Sequence, residues 1–299
     1  MRAAWTLWLI LPAALMISCA SAPPKAPYPH ESILTVIAEL KIFLDQDPYR
    51  QPPGQDLNGR NIFRVSLERL EAIAGVANAE YADVLAFAKG ECLERLGEWA
   101  KARAAFESAA GRKTSLAQPA RRRAASAGRM AELTSHASPA PTLEGYLNDL
   151  QAAEQRLRSW LDSAPPRPTN AYLRQGIERL QEERAGLLFT NRLVLDKATR
   201  QALETAQKMT REHKESYRVM QHWLRLGSFY ETLARDWTAR HPPESANPQL
   251  EPGWLGWIEQ ARQAYRRVAQ ADGDPAKLEG QARLRALDAY ALGVQAQAK

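Results

Sequence analysis

The sequence predicts an all-α protein: helical hairpins stacked into a short solenoid, with one longer antiparallel hairpin in the middle. Three observations carry this. Helix-forming residues dominate, and runs of β-branched residues are scarce. Apolar residues recur at a spacing of three and four in one segment after another. The segments are separated by short stretches rich in Pro and Gly, which stop helices because Pro lacks an N–H and Gly adopts turn conformations freely.

Taken in order, Ser32 stands before Ile33, Leu34, Ile37, Leu40 and Leu44, an apolar helical stripe with a hydroxyl placed to cap it. Asp47-Pro48 ends that helix, and residues 51–59 form a loop. Phe63, Val65, Leu67, Leu70 and Ile73 repeat the pattern over 61–74. Further helices fill 79–96, 98–110 and 117–134. A Ser- and Pro-containing linker covers 135–142, with Thr142 as the next cap. Leu147, Leu150, Leu157 and Leu161 form one seam, interrupted by Glu154. Leu173, Ile177, Leu180 and Leu187 form a second, with Arg184 in the gap. A short Pro-rich turn joins the two seams into the long hairpin. From Asp196 to about Arg240 no Pro interrupts the pattern, giving one long or two abutting helices. A last helix runs from Asp274 to Leu292. The chain thus divides into a leader (1–18), a Pro-rich tether (19–31), an N-terminal helical domain (32–134), the linker (135–142) and a C-terminal helical domain (143–299).

At 299 residues with 45% apolar and 25% charged side chains, the composition is that of a globular protein with a substantial core. Net charge is +6, and residues 1–18 contribute one Arg and no acid, so their removal lowers it by one. That bias is too weak to argue for nucleic-acid binding.

The leader has Arg2, an apolar run over 3–17 and then Ser18-Cys19-Ala20. The run is short for a membrane span, which needs roughly 20 apolar residues, and it reads as a secretory signal. Leu15-Met16-Ile17-Ser18-Cys19 resembles a bacterial lipobox, although Met16 stands where Leu is commonest. The resemblance implies cleavage before Cys19, diacylglycerol on its sulfur and acylation of its new amino group. A residue other than Asp at position 20 implies the outer membrane, with the body facing the periplasm. Two or more acyl chains hold a protein on a bilayer where one binds reversibly. Ser21 to Pro29 holds four prolines and suits an extended tether. An ordinary signal peptide cut near Ala20 is the alternative. The other cysteine, Cys92, reads as a small buried hydrophobe on a helix.

Residues 86–110, AFAKGECLERLGEWAKARAAFESAA, carry Gly90, then Gly97-Glu98-Trp99, then Ala102, Phe106 and Ala109. Residues 222–234, HWLRLGSFYETLA, carry Trp223, Leu226, Gly227 and Tyr230. Both resemble the tetratricopeptide repeat, a helix–turn–helix unit with Trp-x2-Leu-Gly-x2-Tyr on its first helix and Ala-x3-Phe on its second. The first departs from the pattern at Ala86, Lys89 and Leu93. The second matches the first-helix positions, but its partner helix is displaced to Ala261-x3-Tyr265, leaving about 22 extra residues against the repeat spacing. The resemblance implies helical hairpins that bind peptides or protein surfaces and perform no chemistry themselves; a non-repeat helical fold is the alternative.

No zinc-protease helix, phosphate loop or nucleophile elbow occurs, and no cofactor is expected. His213 and His222 lie nine apart, on opposite faces of one helix, so they are not expected to share a metal. Glu182-Glu183 reads as a solvated ion-pair face. Two features are candidate partner-binding surfaces: the acid-free stretch 112–129, with Arg121, Arg122 and Arg123 at its centre, and the insertion 241–257, ending in Trp254 and Trp257. The first reads first as a solvated helix face, the second first as a staple for the next helix. Together these readings describe an outer-membrane lipoprotein acting as a non-catalytic scaffold, with membrane lipid and other envelope proteins as partners. The rivals are an envelope enzyme acting on cell-wall glycan with one carboxylate acid, and a structural cell-wall tether.

Overall fold

The computed structural model describes residues 32–74, 79–134, 142–163, 165, 168–242 and 251–297. The leader, Cys19, the tether, all of the linker but Thr142, and positions 243–250 of the insertion lie outside the described residues. Those described hold eleven α-helices and no strand: α1 (Ile33–Leu44), α2 (Ile62–Ala74), α3 (Ala82–Arg95), α4 (Trp99–Ala110), α5 (Ala117–Thr134), α6 (Leu143–Asp162), α7 (Thr169–Thr190), α8 (Ala198–Glu212), α9 (Val219–Arg240), α10 (Pro252–Ala269) and α11 (Lys277–Gln297). The all-α class is therefore as the periodicity predicts. Each helix packs mainly on its neighbours in the chain, from α1 on α2 through to α10 on α11.

The helix ends follow local chemistry. Ser32 accepts a hydrogen bond from the Leu34 N–H, and Thr142 accepts one from the Gly145 N–H, so both are N-caps. Gly97 takes φ +73° in the turn between α3 and α4, a conformation that costs an L side chain energy and glycine none. Lys197 takes φ 58° before α8 without that freedom. Asp274 does not begin the last helix; its carboxylate accepts from the Ala276 N–H in the turn that precedes α11.

The stretch from Asp196 to Arg240 resolves into two helices, with a break at 213–218 that contains neither Pro nor Gly. The break is made by hydrogen bonding. The Tyr217 N–H leaves the helical ladder to donate to the Tyr49 carbonyl at 3.1 Å, and the Ser216 hydroxyl accepts from the Arg218 N–H. This turn brings His213 and His222 together, with ring centroids 6.1 Å apart. The expectation that they sit on opposite faces of one helix is therefore corrected.

Three apolar clusters hold the helices together. The first joins α1–α5 through Val36, Leu40, Leu70 and Phe106. The second sets Met130 of α5 against Leu150 and Leu157 of α6 and Leu173 and Ile177 of α7, so both predicted seams face inward. The third joins Leu147 of α6 and the end of α7 to α8 through α11. Contacts also cross the boundary proposed at 135–142: Trp99 of α4 meets Tyr172 of α7 edge-on, with centroids 5.0 Å apart.

Candidate functional site

The segment after α1 crosses from the N-terminal helices to the long hairpin, and a cavity of about 430 Å³ lies beneath it. One wall is Gln46, Pro48 and Gln51–Pro53. Another is Phe63 of α2, the α3–α4 turn and Trp99. The third is the face of α7 carrying Tyr172, Gln175, Arg179 and Glu183. The walls combine aromatic surface with a few polar groups, the usual make-up of a ligand site. Several polar groups are already committed. Arg95 donates to the carbonyls of Leu44 and Gln46, neutralising the C-terminal end of α1. Glu183 accepts from the Tyr146 hydroxyl. Arg179 is exposed at this wall and lies near Tyr217.

Beside the cavity lies a pair of carboxylates on α3. Glu94 is 3% exposed and accepts from Arg123 at 2.5 Å; Glu91 lies 3.7 Å from the same guanidinium. Burial pushes the Glu91 carboxyl up to about 7 and raises Glu94 as well, with Arg123 opposing both shifts. A second cavity, of about 290 Å³, is lined by Glu91, Asp45, Asp47, Arg95 and Arg123.

Under the other end of the crossing segment is a buried polar network. The Tyr49 hydroxyl meets His213 Nδ1 at 2.8 Å, and His213 Nε2 meets Gln181 Oε1 at 2.9 Å. Gln181 Nε2 donates to Glu154 at 2.7 Å and to Glu212 at 3.2 Å. Arg158 bridges the same two carboxylates. Close by, His222 Nε2 meets Glu178 Oε1 at 2.5 Å, with both side chains almost wholly buried. Burial lowers the His213 pKa from its usual value; Glu178 and Glu212 favour its charged form, while His222 and Arg158 oppose it. Glu182 is not on a solvated face: burial opposes its ionisation, but Arg225 and Arg218, each 2.5 Å away, hold its pKa below the usual range.

Sequence reasoning missed this network. Its one visible signal was polar residues falling on apolar seams, as Glu154 does between Leu150 and Leu157. A polar group at such a position must be paired when buried.

The repeat-like residues are core. A Cβ on Gly90 would lie 2.6 Å from the Phe106 ring, and one on Gly227 would lie 2.5 Å from the Tyr265 ring. Ala102, Phe106 and Ala109 are fully buried, Leu226 and Tyr230 nearly so, and Trp223 is partly buried. The basic triplet divides. Arg121 and Arg122 are exposed, but Arg123 turns inward to Glu94 and lies over the Phe106 ring, so it is corrected from a partner contact to an internal one. The tryptophans divide similarly. Trp254 is fully buried and donates to Thr238 Oγ1 at 3.1 Å, which pins the start of α10 to α9; it too is corrected to an internal anchor. Trp257 is partly buried against the same cluster. Cys92 is a free, fully buried thiol, pushed up to about 12 by burial. Among the described residues no group of three metal-ligating side chains occurs, and no helix is long and apolar enough to cross a membrane.

No protein-family model matches the chain, and no curated protein matches it.

Proposed function

We propose that the chain is an outer-membrane lipoprotein, anchored through Cys19 and facing the periplasm, whose tetratricopeptide-like helices act as a non-catalytic scaffold for envelope proteins. The observation that carries the helical-repeat part is the pair of glycine–aromatic contacts. Phe106 packs over Gly90 and Tyr265 over Gly227, each joining two helices that are consecutive in the chain. The second contact links the two helices that the repeat pattern pairs across the long insertion. The cavity between the crossing segment, Trp99 and Tyr172 is where a partner segment would enter, with Arg179 beside it to meet acidic groups.

A photo-cross-linking residue placed at Arg179, and separately at exposed Arg121, tests this in the native envelope. The scaffold reading expects discrete protein adducts from position 179, lost on Trp99→Ala. Adducts from neither position, with the protein correctly anchored, refute it. Cys19→Ser tests the anchor: retained processing and membrane fractionation refute the lipidation.

One observation favours the enzyme reading: Glu91, a desolvated carboxylate beside a cavity, with the raised pKa that a general acid needs. A glycan-cleavage assay separates the two. Activity that vanishes in Glu91→Gln supports the enzyme; its absence in the wild type supports the scaffold. The cell-wall tether is tested by charge reversal at Arg121 and Arg122 alone, since Arg123 is internal.

A further inference from the structure

The hydrogen bonds around His213 have only one self-consistent direction. Gln181 presents its amide nitrogen to two carboxylates, Glu154 and Glu212, so its carbonyl oxygen must face His213. His213 therefore carries its proton on Nε2, donates to Gln181 and keeps Nδ1 as an acceptor. The Tyr49 hydroxyl donates to that nitrogen at 2.8 Å. A second proton on His213 has to go to Nδ1, which then donates to the Tyr49 oxygen and leaves the buried Tyr49 hydrogen without the acceptor it had.

The groups that face this site come from every side. Tyr49 comes from the crossing segment and Arg158 and Glu154 from α6. Glu178 and Gln181 come from α7, Glu212 from the end of α8 itself, and His222 from α9. Lys208 lies 3.7 Å from Glu154 and 3.9 Å from Glu212. Glu154 and Glu212 are thus already matched by Arg158 and Lys208, while Glu178 Oε1 meets His222 Nε2 at 2.5 Å.

Tyr49 is also the buried peg of the segment that walls the 430 Å³ cavity: it is 2% exposed, and its carbonyl holds the Tyr217 N–H. Gln46, at the start of the segment, stays tied by Arg95, which donates to its carbonyl at 2.7 Å. Beyond it, Arg174 of α7 lies over the Tyr49 ring at 5.8 Å, Gln175 donates to the Pro48 carbonyl, and Arg50 pairs with Glu215, with both side chains about half exposed.

We propose that Tyr49 and His213 form an acid-released latch: protonation of His213 takes away the acceptor of the buried Tyr49 hydrogen, loosens that tie, frees the 47–53 segment and opens that wall of the cavity. The sign follows from linkage. A histidine whose folded pKa is lowered stabilises the closed form above the ordinary value of 6.5, and that contribution is lost as pH falls from there toward the folded value. The latch is a property of the fold and does not depend on the scaffold reading.

Amide exchange of the full chain, corrected for intrinsic rates, tests it at about pH 7.5 and about pH 5. In the wild type, protection of residues 47–53 and of the Tyr217 amide should fall at least about tenfold on acidification, while α9 and α10 stay protected. His213→Gln can still accept from Tyr49 and donate to Gln181 but cannot titrate, so it should remain protected at both pH values. Tyr49→Phe should be unprotected at both. Unchanged wild-type protection overturns the latch, as does a His213→Gln variant that keeps the wild-type pH response. The wild type also carries a second test: the His213 ring resonances and Tyr217 protection must share one midpoint, and two different midpoints overturn it.

Discussion

Replacing Gly227 by Ala should destabilise the protein, although Ala is the better helix former. The new methyl carbon would sit 2.5 Å from Tyr265 Cε1 and 2.7 Å from Cδ1. Carbon atoms make contact at about 3.5–4.0 Å, so the overlap is about 1 Å. The ring has little room to retreat: Tyr265 is fully buried, and its hydroxyl donates to Glu231 at 2.8 Å, a carboxylate itself paired with Arg235. Overpacking of this kind costs about 1–3 kcal/mol, and the severity of the overlap places it in the upper half. Helix propensity returns about 1 kcal/mol. The net expectation is a loss of about 1–2 kcal/mol. Gly186 is the internal control, since a Cβ there meets nothing within 4 Å. Gly186→Ala should therefore stabilise by about 0.5–1 kcal/mol. Urea denaturation followed by circular dichroism measures both. In a Tyr265→Leu background the smaller side chain leaves space, and Gly227→Ala should then cost little or nothing. If Gly227→Ala is as stabilising as Gly186→Ala, α9 and α10 do not approach as closely as described, and the repeat-like pairing falls with them.

Three further outcomes follow from burial and charge. Glu91 has a folded pKa above its unfolded value, so its contribution to stability is present below about 4.5 and lost as pH rises through about 7; Glu91→Gln should flatten that loss in a pH series of denaturation midpoints. Cys92 should resist thiol reagents in the native protein and react fully in denaturant, because a buried thiol pushed up to about 12 offers almost no thiolate. Trp254→Ala should cost about 3–5 kcal/mol by thermal or chemical unfolding, since it empties a fully buried site, whereas substitution of partly buried Trp257 should cost markedly less.

The helical elements were largely legible because their information is local. Ser32 and Thr142 announce their caps, and the Leu and Ile seams of α6 and α7 mark the faces that meet. The sequence left open one long or two abutting helices, and the place of the break between α8 and α9 was not legible, because its cause is the Tyr49 carbonyl, far away in the chain. For the same reason the His213–His222 approach and the inward turn of Arg123 were invisible: each depends on which helix lies opposite. Trp254 and Trp257 look alike in sequence, three residues apart, yet only the first points at Thr238. The cavity between the crossing segment and α7 is assembled from residues as distant as Gln46 and Tyr217, and no local pattern encodes it.

The Tyr49–His213 bond joins residues 164 positions apart, whereas almost every other element is completed by its immediate neighbour. Closing so large a loop carries an entropic cost that short-range helix pairing does not. A chain emerging N-terminus first can dock each helix on the one before it without delay. Gln46 can already meet Arg95 of α3, but Tyr49 must wait without its partner until eight helices have formed and His213 arrives. During that interval the wall of the cavity over Trp99 and Tyr172 is incomplete, so assembly order alone creates a period in which a chaperone or an early binding partner meets this aromatic surface more openly than in the finished fold.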